Sequence, residues 1–186
     1  MAEALRVWRH PRPEGAAGRC VGARTDLRVD RRRAKRLARR IQALARRERL
    51  PHAVWTSPLA RGADVGRWLR RWGWRHHVEP ALRELDFGAW DGRLWERIGQ
   101  VRVDGWIAAF ARHAPGGGES VAALVRRVAA CRLPPGALVV GHGGWMVARR
   151  WLATHAPDEV DAIAAADWPA APRYGACWKL PSDLGG

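Results

Sequence analysis

The sequence predicts a three-layer αβα sandwich with a mainly parallel central sheet, formed by residues 1–186 as one domain. Three observations predict it. Short apolar runs alternate with amphipathic stretches, the strand-then-helix order from which parallel sheets are built. Ala137-Leu138-Val139-Val140 is apolar throughout, as a strand buried on both faces requires. Two of these runs lead into histidine, Leu5 to Trp8 before Arg9-His10 and Ala137 to Val140 before Gly141-His142. In open α/β sheets ligands sit beyond the carboxyl ends of parallel strands, so both histidines fall where a site belongs.

The elements follow in order. Leu5-Arg6-Val7-Trp8 is the first strand, and a Pro/Gly loop from Pro11 to Gly18 leaves it. Asp30 can cap a helix in which Ala34, Leu37, Ala38, Ile41, Leu44 and Ala45 share one face. Ala53-Val54-Trp55 reads as the second strand, and Thr56-Ser57-Pro58 leads into a helix from Leu59 to Arg71. His76 to Glu79 suits a short third strand. Glycines and aspartates make Leu85 to Gly92 an irregular loop, after which Trp95, Ile98, Trp106, Ile107 and Phe110 suggest one or two covering helices. Beyond Gly116-Gly117-Gly118 a helix runs from Glu119 to Cys131, and Ala137 to Val140 precedes another from Gly143 to Thr154. Tyr174 to Leu180 closes the sheet as an edge strand. No fixed-period repeat or low-complexity linker divides the chain.

At 186 residues the chain can bury a core without disulfides or a structural metal. Its net charge of +15 and pI near 11.5 favour anionic partners, whether phosphorylated metabolites, nucleic acid or anionic lipid. Nearly all of that charge is arginine, with Lys35 and Lys179 the only lysines, so for most of these arginines a compositional bias spread over a solvated surface is the simpler explanation. Cys20, Cys131 and Cys177 are too scattered for a disulfide framework or a zinc site, which suits a reducing cytoplasm. The amino terminus from Met1 to Ala4 opens no export signal, and no stretch approaches the ~18 apolar residues of a membrane span. The expectation is a soluble cytoplasmic protein, monomer or homodimer, with no membrane partner.

A phosphate monoester needs cations around its oxygens, an in-line nucleophile and an acid for the leaving oxygen. Arg9 can fork two donors onto phosphate, Arg61 follows the second strand, and His142 adds a donor when protonated. His10 is then free to act as nucleophile, because an imidazole nitrogen can accept a phosphoryl group and pass it to water. Taken singly, each of these residues also reads as an ordinary loop, core or surface group.

Five blocks carry a resemblance: Arg9-His10, Thr56 to Arg61, Glu84 to Gly92, Gly117 to Ser120 and Val140-Gly141-His142. In that order they resemble the histidine phosphatase superfamily, in its phosphoglycerate-mutase-like branch. The resemblance implies that His10 is phosphorylated, that Arg9, Arg61 and His142 form the phosphate pocket, and that Glu84 donates the leaving-group proton. It implies a small phosphorylated metabolite as partner and no metal or cofactor. Glu84 must be protonated in the first step and ionised in the second, so its pKa should lie near the working pH. An acceptor on the other nitrogen of His10 could fix its tautomer, and His142 is better placed as a cation.

Pro11 replaces the glycine usual after Arg-His and removes an N–H that could contact phosphate. Arg9 to Glu14 with Gly22 to Leu27 looks like the subgroup assigned to α-ribazole-5'-phosphate phosphatase, a late step of cobalamin assembly. By that analogy Arg24, Thr25, Glu119 and Ser120 meet substrate, as does Gly143 at the start of its helix. Trp90, Trp95 and Trp106 are core packing or a wall for a flat base. Glycolytic mutase activity or a broad sugar phosphatase are alternatives within the family. From another class, an inactive phosphatase fold could bind nucleic acid through Arg31, Arg32, Arg33, Arg36, Arg39 and Arg40, though no recognisable nucleic-acid motif supports that. The natural substrate, the oligomeric state and the role of this Arg-rich helix are open at this point.

Overall fold

The computed structural model describes residues 4–183; Met1 to Glu3, part of the amino-terminal stretch read above, lie outside the described residues, as do 184–186. Five strands form one sheet: β1 (Leu5–Arg9), β2 (Ala53–Thr56), β3 (Arg75–Val78), β4 (Leu138–Gly141) and β5 (Cys177–Leu180), in the spatial order β3-β2-β4-β1-β5. The first four are parallel, and β5 runs antiparallel along β1 at an edge.

Alternation along the strands builds two cores. Trp8, Val54, Leu138 and Val140 face the helices α1 (Arg31–Glu48) and α2 (Ala60–Arg71). Leu5, Val7 and Val139 face the other way, toward α5 (Val121–Ala130) and α6 (Gly143–Trp151). The result is the three-layer sandwich, since a strand covered on both sides must be apolar at every position. Between β3 and α5 lie α3 (Trp95–Ile98) and α4 (Gln100–Ala108). Among the described residues no helix is long and apolar enough to cross a membrane.

Local chemistry sets the boundaries. Asp30 accepts the Arg33 N–H at 3.0 Å and starts α1, whose predicted face is buried except for half-buried Leu44. Ser120 caps α5 through Ala123, so this helix starts two residues later than expected from Glu119. The helix after His142 stops at Trp151, not Thr154, because Leu152 to Thr154 turn back onto the carbonyls of Ala148 to Trp151. The closing strand begins at Cys177, leaving Tyr174 in the preceding turn. Ile107 is exposed, and α4 covers the core through half-buried Val103 and Trp106 instead.

The irregular loop after Leu85 is held by backbone packing. Its segment from Asp86 to Gly88 lies against Gly116 to Gly118, and Glu119 N–H donates to the Asp86 carbonyl at 2.7 Å. A Cβ on Gly118 would strike the Asp86 carbonyl and the Gly88 nitrogen, which are backbone and cannot rotate away. Gly118→Ala is therefore expected to lower unfolding free energy by about 3 kcal/mol, measured by urea denaturation. An unchanged midpoint would show that the two segments separate at no cost.

Candidate active site

Because β1 and β4 are neighbours with Arg9 opposite Gly141, the residues that follow them stand side by side. The rings of His10 and His142 are 4.9 Å apart between centroids, inclined at 58°. The His10 N–H continues the ladder to the Gly141 carbonyl at 3.1 Å, so the backbone fixes where that imidazole begins.

His10 is buried, and its Nδ1 lies 2.8 Å from the Pro11 carbonyl oxygen. A carbonyl only accepts, so Nδ1 carries the hydrogen and the lone pair sits on Nε2. Burial chiefly, with Arg61, holds the imidazole pKa down to about 3; the Pro11 carbonyl opposes this and Arg9 adds to it. The ring is thus neutral at any ordinary pH. Proline withdraws an N–H here, yet its carbonyl supplies the acceptor that sets the tautomer.

Arg61 comes from the first turn of α2 and is 1% exposed. Its Nη1 donates to the Thr25 carbonyl and its Nη2 to the Gly22 carbonyl, both at 2.7 Å, and its Nε to His142 Nδ1 at 3.3 Å. Five N–H groups minus these three leave two, one on each terminal nitrogen, which is the fork that phosphate oxygens fit.

The charge expected on His142 is corrected by these contacts. Its Nδ1 accepts from Arg61 and therefore bears no hydrogen, and its Nε2 donates to Ser57 Oγ at 2.6 Å. Burial first, then Arg61, His10, Arg9 and Arg127, hold its pKa well below the ordinary value. His142 is a neutral ring in this structure, because a guanidinium aimed at one nitrogen excludes a proton there. Fully buried Ser57 completes this relay, although the block from Thr56 to Arg61 gave it no role of its own.

Glu84 meets the amino-terminal turn of α6. Its Oε1 accepts from Leu85 and Gly144 N–H at 3.0 Å each, and Oε2 shares the Gly144 donor at 3.2 Å. A Cβ on Gly144 would clash with Oε1. Gly143 has the same kind of duty toward Arg9: a Cβ there would lie 3.2 Å from the guanidinium carbon. Arg9 Nη1 donates to the Pro172 carbonyl at 2.7 Å, while its buried Nε has no protein partner.

Tyr174, the only tyrosine, is expected from the sequence in a strand and is a neighbour of this cluster instead. Arg9 Cζ lies 4.0 Å from the centre of its ring, and the His10 ring is 5.5 Å away. The Gly175 N–H donates to the Arg9 carbonyl, so the turn before antiparallel β5 carries Tyr174 over β1. At 40% exposed the ring covers the guanidinium from the solvent side. Tyr174→Ala is expected to reduce kcat/KM about tenfold, and Tyr174→Phe to keep it, since the ring face and not the hydroxyl holds Arg9. Equal losses in both variants would assign the effect to the hydroxyl.

The residues read as substrate contacts divide. The Thr25 carbonyl, not its hydroxyl, reaches Arg61. Arg24 Nε pairs with Asp86 at 2.8 Å, and its N–H goes to Asp91. Glu119 is gripped by Arg127 through Nε at 2.8 Å and Nη2 at 2.7 Å, and Ser120 Oγ is a helix cap. The structure thus gives Glu119 an ion pair and Ser120 a helix cap. Trp90 and Trp106 meet edge to face at 6.1 Å and 81°, Phe87 meets Trp106 at 88°, and Phe87 meets Trp95 at 89°. These aromatics pack on one another as core.

A model of the histidine phosphatase superfamily (branch 1) matches residues 5–164. The chain belongs to this superfamily. Among solved structures, a mycobacterial protein described as hydrolase 2 shares 22% identity over 98% of this chain and 86% of its own, with TM-score 0.71. The mycobacterial glucosyl-3-phosphoglycerate phosphatase shares 24% over 88% and 85%, with TM-score 0.67. TTHB049 from Thermus thermophilus shares 29% over 80% and 84%, with TM-score 0.60. No curated protein gives a significant sequence match. As a histidine phosphatase, the protein is a phosphatase enzyme whose substrate is a phosphorylated small molecule.

Burying neutral imidazoles in this phosphatase links stability to acid. Unfolded, His10 takes a proton near pH 6.5; folded, only near 3, while His142 is also shifted down and His76 to about 4. Below pH 6.5 the unfolded chain binds protons that the folded chain refuses, so stability is full above 6.5 and falls as pH drops toward 3. Urea midpoints at pH 7.5, 6 and 5 should decline in that order. A flat series would mean that the imidazoles protonate in place.

Proposed function

We propose that this protein is a metal-independent phosphomonoesterase that works through a phosphorylated His10. One observation carries the reading: the Pro11 carbonyl holds the hydrogen on Nδ1, leaving a lone pair on Nε2 in a cluster where Arg61, joined to it through His142, keeps two N–H groups unused. A nucleophile that needs no base to deprotonate it stands next to a cationic fork for the phosphoryl oxygens.

In the first step His10 Nε2 bonds to phosphorus, the ester P–O bond breaks, and Glu84 as a carboxylic acid gives its proton to the leaving oxygen. In the second, a water oxygen attacks phosphorus, the P–N bond breaks, and the Glu84 carboxylate takes the water proton. Oε1 takes the two shorter backbone bonds, so Oε2, which only shares the Gly144 donor at 3.2 Å, is the oxygen with room for that proton. Arg9, Arg61 and His142 surround the transferring group. With Nε2 engaged by Ser57 and Nδ1 by Arg61, His142 acts by orienting Arg61 unless the incoming dianion draws a proton onto it.

The substrate is a phosphate monoester of a metabolite. The run from Arg9 to Glu14 supports α-ribazole-5'-phosphate, whereas the edge-to-face packing of buried Trp90 and half-buried Trp95 and Trp106 weakens the case for an aromatic wall around its flat base. Sugar and glycerate phosphates are the other class, in keeping with the named activity of the mycobacterial glucosyl-3-phosphoglycerate phosphatase. The test is phosphate release, in excess chelator, from α-ribazole-5'-phosphate, glucosyl-3-phosphoglycerate, 3-phosphoglycerate and p-nitrophenyl phosphate. Turnover that survives chelator supports the reading, and the ester with the highest kcat/KM names the pathway. Turnover that disappears with chelator and returns with a divalent cation would sink it.

A further inference from the structure

The Arg-rich helix noted in the sequence is not part of the cluster around His10, and its first turns form something else. Between α1 and α2 lies a cleft of about 310 Å³ lined by Arg28, Arg31, Asp64, Arg67, Trp68 and Arg71. Its position along α2 separates it from the phosphate pocket: Trp68 is seven residues beyond Arg61, roughly 10 Å along the helix axis.

The charges here are unbalanced. Asp64 is the one carboxylate of the lining, and it is already paired with Arg67. Among the described residues Arg28, Arg31, Arg71 and the adjacent Lys35 form no ion pair. Like charges around one concavity repel, and an aromatic face is what holds these together. Arg31 Cζ, Lys35 Nζ and Arg71 Cζ lie 5.2, 4.9 and 5.0 Å from the centre of the Trp68 ring. A guanidinium held by its face keeps the N–H groups of its edge free for oxygen acceptors. Trp68 thus gathers three cations and leaves their donors open, which differs from arginines scattered over a solvated helix.

We propose that this cleft binds a ligand carrying a chain of phosphoryl groups, at a site separate from the His10 pocket. A single phosphate meets only part of the cationic lining, whereas two or three linked phosphoryl groups match several cations at once. Inorganic polyphosphate and a nucleoside polyphosphate present the same chemistry.

The experiment is isothermal titration of the full chain with tripolyphosphate and, separately, adenosine triphosphate, at about 50 mM and 200 mM salt. Arg31→Glu/Arg71→Glu removes two cations of the lining. Arg33→Glu/Arg36→Glu makes the same change in net charge on the outer side of α1. The lining pair is expected to weaken tripolyphosphate binding about tenfold or more, and the outer pair less than about twofold. Tighter binding of adenosine triphosphate than of tripolyphosphate assigns the source as a nucleotide; equal affinity assigns it to the phosphate chain alone. Equal losses in both pairs, or a short single-stranded oligonucleotide competing equally in both, would show a diffuse field of the whole surface and overturn the proposal. Binding in the His10 pocket is untouched by either pair, so the outcome is independent of the phosphatase reading.

Discussion

His10→Ala is expected to slow phosphate release from every monoester on the order of 10⁴-fold or more, with the protein still folded. Loss of the nucleophile removes the only route in which the phosphoryl group rests on the enzyme, and the remaining cations can do no more than polarise a bound ester toward water. The fold should survive because the variant gives up one hydrogen bond, from Nδ1 to the Pro11 carbonyl, worth about 1 kcal/mol, and gains relief from burying a polar ring. It should also become less sensitive to acid, since one of the imidazoles that refuses a proton is gone. The two readouts must move in opposite directions: activity collapses while the decline in urea midpoint below pH 6.5 becomes shallower. Rapid-quench labelling with a radioactive monoester should trap acid-labile phosphate on the wild type and none on the variant. A variant that keeps its rate within tenfold of wild type would falsify the phosphohistidine route.

The alternation of strands and helices was legible because each element carries its own period. Asp30 and the residues from Ala34 to Ala45 specify α1 without reference to anything distant, and the apolar run before Gly141 can only be a covered strand. The two histidines were legible for a related reason: both follow runs that read as strands, and strand ends in a parallel sheet point one way. What escaped depends on contacts between residues far apart in the chain. The charge state of His142 is decided by the Nε of Arg61, 81 positions away, and the place of Tyr174 by a turn that brings Gly175 back to Arg9. Glu119 looked free because its partner Arg127 lies two turns along α5, where the geometry of one arginine closes a bidentate pair. Ile107 shows the opposite error, an apolar residue at core spacing on a helix that turns Val103 and Trp106 to the core and leaves Ile107 outside.

Arg61 is where fold and chemistry meet, and its replacement is expected to damage both. Arg61→Ala leaves the carbonyls of Gly22 and Thr25 and the Nδ1 of His142 without their donors in a buried site. Leaving a buried acceptor without its donor typically costs about 1–3 kcal/mol, against a total stability of about 5–15 kcal/mol. The loop from Gly22 to Asp26 would then be tied down by Asp91, which takes the N–H groups of Gly22 and Arg24, and by Asp26, which takes the Ala60 N–H. Those bonds should keep the protein folded at low temperature with a lowered melting point. Catalysis should fall about 10³-fold, because the two forked donors vanish and His142, freed from the guanidinium, can take up the proton now excluded. Arg61→Lys separates the two effects. An ammonium has three donors on one atom and cannot reach both carbonyls, His142 and two phosphate oxygens, so charge is restored but the fork is not. Lysine is therefore expected to recover part of the melting temperature and little of kcat/KM. Full recovery of activity by lysine would mean that Arg61 contributes charge alone and that the geometry of its five donors has no part in the reaction.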